Sequence, residues 1–473
     1  MEKNMLQSQR ATKILDYIEC SFKISYLLLG IATFNSFVFG KPIMSILVMI
    51  TFGLGGVLMI ERLIHWKEYI GMPYLLLLLL FCLSFSISMV INKEFGFIEN
   101  AKWLVWTSFQ MFLLYVKRKD DSTEKYHKEF KMISLIIIWY GFFASVASIV
   151  LMLMRYSKIT ILETNGQRII QGFIWGRLWG VYTDPNYGAV IGVISIILSL
   201  YFMQKQSRKI CAMYIANIVM QFLYIVFSDS RTGKVTLLIT IGFYLYTLLL
   251  KKGNEKKKIK KRMTDFVIVL FASILIIAGM KLVRVSYNNV ISPFMSKMFF
   301  TEKEVTEEEK LEEDRIGREE DIKADPSNRR FSIWESGMEV LKTTPVFGTG
   351  YVTFVPYTEK NLPNTYVINN DHGVFGSMHN GFLNVLVYQG IIGFVVFIAF
   401  TICVVIRIFR KIWKLKGEDY RFGVTMLSCI AAVSCSMMFL LEGTYTNSIG
   451  CIVLWCYLGW LIRLIDNKTI EKN

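Results

Sequence analysis

Charge is scarce in this chain of 473 residues. Only 19% are Asp, Glu, Lys or Arg, against about 25% in ordinary globular proteins. Histidine is scarcer still, with four residues: His65, His127, His372 and His379. The apolar share of 53% and mean hydropathy of +0.43 exclude an ordinary soluble protein. Apolar stretches of roughly 17–25 residues, long enough to cross a hydrocarbon core, recur along the whole sequence. The middles of these stretches lack Asp, Glu, Lys, Arg and His, which argues against a transporter coupled to protons or ions. No internal repeat and no matched pair of Gly/Pro-broken spans is present either.

The cysteines make no disulfide framework. All eight lie in or beside apolar runs, and none falls in the longest polar segment. No small-residue cleavage site follows the first apolar run, so no signal peptide is expected. The formal charge of +16 is spread over short clusters between apolar runs, which excludes a nucleic-acid-binding face and reads instead as a topology signal.

Twelve spans are predicted, at 21–39, 42–60, 72–91, 102–116, 132–154, 186–203, 210–227, 233–250, 265–282, 381–406, 422–441 and 447–465. The fold class is therefore an all-α integral membrane protein. With twelve spans, four basic loops fall on one side together with both termini: 117–131, 205–209, 251–262 and 407–421. By the positive-inside rule that side is cytoplasmic. The chain then divides into spans one to nine (1–282), a large extracellular or periplasmic loop (283–380), and spans ten to twelve with a cytoplasmic tail (381–473). The large loop opens with the acidic tract 301–314. Phe331, Trp334, Met338 and Leu341 then recur at helical spacing and predict an amphipathic helix lying on the membrane surface or the bundle. Pro345–Gly350 follows as a glycine turn.

Three outward places carry candidate chemistry: Gly176–Gly188 with Arg177 and Asn186, Ser228–Gly233 with Arg231, and Met378–Gly381 with His379 and Asn380. Asp184 and Pro185 read as an N-cap and first helical residue, and Asn380 as another N-cap. A guanidinium keeps its charge in poorly solvated places and fits phosphate oxygens. An imidazole suits removal of a proton from a hydroxyl. Two arginines and a histidine near the outer membrane surface fit a lipid-linked diphosphate sugar meeting an acceptor hydroxyl. Fixed arginines would stabilise the departing diphosphate without a metal.

These residues resemble the O-antigen ligase and O-antigen polymerase family of bacterial polysaccharide assembly. Its pattern has an Arg-x-x-Gly segment ahead of a Pro-Asn helix start (Arg177, Gly180, Pro185, Asn186) and a Ser-x-Ser-Arg turn (Ser228, Ser230, Arg231). A large outward loop follows, matched by Arg330, Trp334, Pro345, Gly348 and Gly350. The pattern ends in His-Asn-x-Phe-Leu with a later Gly-x-x-Gly-Phe, matched by His379, Asn380, Phe382, Leu383, Gly390, Gly393 and Phe394. The resemblance implies transfer of sugars from an undecaprenyl-diphosphate donor to an acceptor hydroxyl on the outer face of the bacterial cytoplasmic membrane, without cofactor or metal. It implies His379 as base, Arg177 and Arg231 as diphosphate binders, and Arg330, Asn186 and Asn380 as further substrate contacts. Expected partners are the lipid-linked oligosaccharide, the bilayer, a flippase and a chain-length regulator, with no nucleic acid.

The Lys- and Ile-rich composition, expected of an AT-rich genome, favours a polymerase of O-antigen, capsular or other surface polysaccharide. The alternatives are a ligase passing finished glycan to another acceptor and a polysaccharide flippase or exporter.

Overall fold

In the computed structural model, residues 2–162, 168–204, 206–250, 258–299, 315–317, 325, 327–371 and 373–470 are described. The acidic tract 301–314, Lys205, the stretch 251–257 of the third basic loop, and His372 lie outside them. The protein is mostly helical, at 74%. The first half runs α1 (Glu2–Thr33), α2 (Pro42–Ile64), α3 (Leu75–Ile91), α4 (Phe97–Ser108) and α5 (Thr123–Leu153), with a π-helical stretch at Phe109–Tyr115. Next come α6 (Pro185–Phe202), α7 (Arg208–Phe227), α8 (Arg231–Leu250), α9 (Lys258–Ser286) and α10 (Ser292–Phe299). The loop helices α11 (Arg330–Thr343) and α12 (Phe354–Asn361) precede α13 (Gly381–Lys411), α14 (Gly417–Ser436) and α15 (Ile449–Ile470).

Each of the twelve predicted spans overlaps a helix, though 34–39 of the first and 437–441 of the eleventh are non-helical. Among the described residues, eight helices are long and apolar enough to cross a membrane. Within those eight, burial separates centre from rim. The window in α15 is 94% buried inside the protein and that running from α9 is 6% buried. The chain is thus a multi-pass helical protein with α6, α14 and α15 at its middle.

Two features depart from the expectation. First, the fold is not all-α. Residues expected to form a plain outward loop at 155–185 build an antiparallel sheet, β1 (Ser157–Ile161), β2 (Arg168–Ile174) and β3 (Arg177–Gly180), in the order β1-β2-β3. β1 is exposed throughout, Ile169, Ile170 and Phe173 of β2 are buried, and β3, with Leu178 fully buried, packs most closely against the bundle. Only β1 carries a period of two, over five residues, and β2 and β3 have no such pattern to mark them as strands.

Second, the predicted tenth span is not one straight helix. Gly390 has φ +65° and ψ −169° inside α13. The Phe382 and Phe397 rings are 6.1 Å apart, whereas fifteen residues of straight helix would cover about 22 Å. The chain therefore folds back at Gly390, so that 381–389 is a short half-helix pointing down beside 391–411.

The break frees backbone groups that must be satisfied inside the protein. The Pro345–Gly350 turn supplies the partners. Thr349 N donates to Val387 O at 3.1 Å, Gly350 N to Tyr388 O at 2.8 Å, and Ile391 N to Pro345 O at 2.9 Å. A Cβ at Gly390 would lie 2.3 Å from Val346 backbone, and one at Gly348 2.4 Å from Val387 O. What the sequence offered as two separate glycine motifs is one interlocked joint.

Candidate active site

The first part of the site is a lock between β3, α6 and the α7–α8 turn. Asp184 caps α6, its Oδ1 accepting from Asn186 N at 2.7 Å. Asn186 Oδ1 in turn accepts from Arg177 Nη2 at 3.3 Å and from Ser230 Oγ at 2.8 Å. Arg177 Nε donates to Ser228 O at 3.0 Å, and its guanidinium lies 5.6 Å from the Trp179 ring. Ser230 Oγ also accepts from Gly233 N at 2.9 Å, and a Cβ on Gly233 would come 2.4 Å from Ala189 Cβ. The Ser-x-Ser-Arg turn is thus held against the start of α6, which places Arg231 in the first turn of α8 rather than in a free loop. Arg177 and Asn186 both spend groups on fixing that turn.

The second part is a cavity of about 230 Å³ whose wall contains both Arg231 and Arg330. Phe331, Trp334, Phe439 and Val235 close its other sides. The Arg330 guanidinium lies 5.6 Å from the Phe439 ring. Ser327 also lines the cavity. Asp325, two residues earlier, is held below the usual carboxylate range by the Ser327 hydroxyl and by nearby Arg231.

The predicted helix at 330–341 exists as α11, but its buried face differs from the expected one. Ile333, Ser336, Gly337, Val340 and Leu341 pack inward, while Phe331 and Met338 are exposed. The small Ser336–Gly337 step decides this. A Cβ on Gly337 would sit 2.4 Å from Met378 Sδ, so the helix approaches the half-helix of α13 on its small-residue side. Of the expected stripe, Trp334 works at the site: its Nε1 donates to Met378 O at 2.9 Å.

The third part is His379. Trp334 holds the preceding carbonyl, Asn384 Oδ1 accepts from Met378 N at 2.8 Å, and Gly381 N donates to Met437 O at 2.6 Å. These anchors keep His379 at φ +46°, a conformation that non-glycine residues seldom adopt and that clusters at functional sites. Asn380 Oδ1 accepts from Phe382 N at 3.0 Å and Leu383 N at 3.1 Å, so it is the cap of the half-helix. Burial pushes the imidazole below its ordinary value; Asp184 opposes that shift and Arg330 adds to it. His379 is therefore neutral near pH 7 and able to accept a proton. The charges that act on it are Asp184, the cap of α6, and Arg330, the first residue of α11.

The structure brings the expected residues together. Asn186 ties Arg177 to the turn that carries Arg231, Arg231 and Arg330 line one cavity with Trp334, and Trp334 Nε1 holds the carbonyl just before His379. Sequence reasoning passed over two carboxylates here. Asp184 has its cap role, and its charge also acts on the His379 imidazole, opposing the effect of burial. Glu442, in the short predicted loop 442–446, is buried with its carboxylate between Ser436 Oγ at 2.7 Å and Ser448 Oγ at 3.1 Å. Burial pushes its carboxyl up to about 7. Tyr187 donates to the neighbouring Leu441 O, which ties this segment to the start of α6. An acid between two apolar spans was the available signal. Among the described residues no group of three or more His, Cys, Asp and Glu is placed to hold a metal ion.

Residues 216–398 match the O-Antigen ligase family. The chain carries a domain of that family. The O-antigen ligase match takes in Arg231, Arg330, His379 and the Gly390 joint, and leaves Arg177, Asn186 and Glu442 outside its bounds. An uncharacterized protein of Haemophilus influenzae is 23% identical over 214 residues, covering 45% of this chain and 47% of that protein. The chain thus spans about half the length of this relative.

Proposed function

We propose that the protein is a membrane glycosyltransferase that joins lipid-diphosphate-linked oligosaccharide repeat units, a surface-polysaccharide polymerase. The observation that carries this is one cavity lined by two guanidiniums, Arg231 and Arg330, whose wall residue Trp334 is bonded to the carbonyl next to His379. His379 takes the proton of the acceptor hydroxyl as its oxygen attacks the anomeric carbon. The bond from that carbon to the diphosphate oxygen breaks, and the diphosphate leaves with the electron pair. Arg231 and Arg330 face the charge that develops on it. Arg177 and Asn186 hold the turn that aims Arg231. The donor is an undecaprenyl-diphosphate glycan and no metal takes part. The twelve crossings, the cytoplasmic termini and the outward-facing site in the cytoplasmic membrane belong to the same proposal and are supported by the basic loops.

The decisive experiment measures glycan length in cells expressing His379→Ala at normal level. Collapse to single repeat units is expected, and retained long chains would sink the catalytic reading. The O-antigen ligase description of the family supports transfer to a different acceptor equally. Purified protein supplied only with lipid-linked repeat units separates the two. Products of two or more units mark a polymerase, and growth that requires a second acceptor lipid marks a ligase. A cysteine placed at Lys360, an exposed position in the large loop, should react with an impermeant thiol reagent from outside, and labelling only after permeabilisation would reverse the proposed sidedness.

A further inference from the structure

A second cavity, of about 240 Å³, lies between α13, α14 and α15, with Phe243 of α8 at its side. Its rim includes Phe382 and Met437. Phe382 N is bonded to Asn380 and Met437 O to Gly381, so the rim begins within a few residues of His379. Along α13 the lining runs from Phe397 to Phe409, about 18 Å of helix. It is almost wholly apolar, and Thr401 turns its hydroxyl back to Phe397 O at 2.9 Å. Nothing in this wall suits a charged head, so its occupant is a hydrocarbon chain. Six rings line it: Phe243, Phe382, Phe397, Phe400, Phe409 and Trp455. Ring faces pack well against the methyl and vinylic C–H groups of a branched chain.

This groove is adjacent to the arginine cavity. Val235 of α8 lines the first cavity and Phe243, about 12 Å further along the same helix, lines the second. Phe439 lines the first and Met437 the second. Two strips of the protein therefore run from a pocket suited to an anionic head into a slot suited to its tail. Resting on the glycosyltransferase reading above, we propose that the groove holds the polyprenyl chain of the lipid donor whose diphosphate meets Arg231 and Arg330. A bilayer phospholipid is the competing occupant.

The test uses the full-length purified protein with one glycosyl diphosphate carried on either an undecaprenyl or a geranyl chain, and the variant Ala431→Trp, which fills the α14 wall of the groove. The variant should raise KM for the long-chain donor by about tenfold, the loss of roughly two buried CH₂ groups, and leave the geranyl donor's KM and kcat in place. Ile402→Trp, on the exposed face of α13, should change neither.

A diazirine-bearing polyprenyl diphosphate should crosslink within 397–409 and 427–437, displaced by unlabelled polyprenyl diphosphate and not by phosphatidylglycerol. An unchanged long-chain KM, or equal displacement by phosphatidylglycerol, overturns the proposal. If Ala431→Trp impairs both donors, the milder Ser434→Leu is judged by the same KM split. Wild-type protein that turns over neither donor defeats the glycosyltransferase reading, while the crosslinking competition still decides the groove.

Discussion

Charged side chains gather at two places joined by α5, and the two gatherings follow opposite rules. Glu129 lies near the start of α5, and the sheet that carries Arg177 follows its end at Leu153, about 36 Å of helix away. At the first place signs alternate. Lys23 Nζ sits 2.8 Å from Glu129 and 3.2 Å from Glu19, Arg62 pairs with Glu19 at 3.1 Å, and Lys125 reaches Asp16, Glu19 and Asp121. At the second, two arginines are set around one cavity walled with aromatic rings, and a histidine is held in a strained conformation next to the carbonyl that Trp334 of that wall binds. Alternating buried pairs resist removal of any member but do no chemistry. Like charges converging on a cavity are arranged for something that brings the opposite charge with it.

The comparison can be broken most forcefully at Arg231. Arg231→Ala should cut turnover by about 10²–10³, the cost of removing one preorganised donor from a developing anion, with melting temperature unchanged. Arg231→Lys should recover little, because a point charge replaces a fork. Turnover near the wild-type level in either variant would place Arg231 among the structural charges.

At the other place, Glu129→Ala should destabilise the protein by about 1.5–3 kcal/mol by removing the closer of buried Lys23's two carboxylate partners, while turnover per folded molecule stays intact. A loss of turnover without loss of stability would erase the distinction between the two places.

Smaller effects test the environment of His379. Its pKa lies below the ordinary value, so activity should fall only when pH drops below the usual histidine range. Arg330 contributes to that lowering, so Arg330→Gln should move the acidic limb of the pH–rate profile upward. Asp184 opposes it, so Asp184→Asn, which keeps a good N-cap residue, should move the limb downward. Limbs that coincide with wild type in both variants would separate His379 from these charges.

Glu442 gives the smallest effect. Its carboxyl is raised in the folded state, so the stability it contributes is present at low pH and lost as pH rises through about 7. Thermal melts from pH 5 to 8 should show that decline, and Glu442→Gln should flatten it.

Much of this was legible beforehand. Long apolar runs located the helices, because a span must satisfy its backbone within itself and so needs a continuous stretch of sequence. The candidate residues Arg177, Arg231, Arg330 and His379 stood out because charge near apolar spans is costly and therefore informative. The basic loop 117–131 was legible only as a count. Its Arg118 and Lys125 turn out to pair with Asp16, Glu19 and Asp121, partners distant in the chain or masked by the topology reading.

By itself the sequence determined a helical, multi-pass protein and singled out the charged residues of the candidate site, since both depend on local hydropathy and side-chain chemistry. Only the tertiary structure decided that Asn186 serves Arg177 and Ser230, and that α11 buries its Gly337 side. It alone showed that α13 folds back at Gly390 because the Pro345–Gly350 turn supplies the freed backbone groups with partners. Those outcomes depend on hydrogen bonds and close approaches between segments tens to hundreds of residues apart, and no local pattern encodes which segment will arrive.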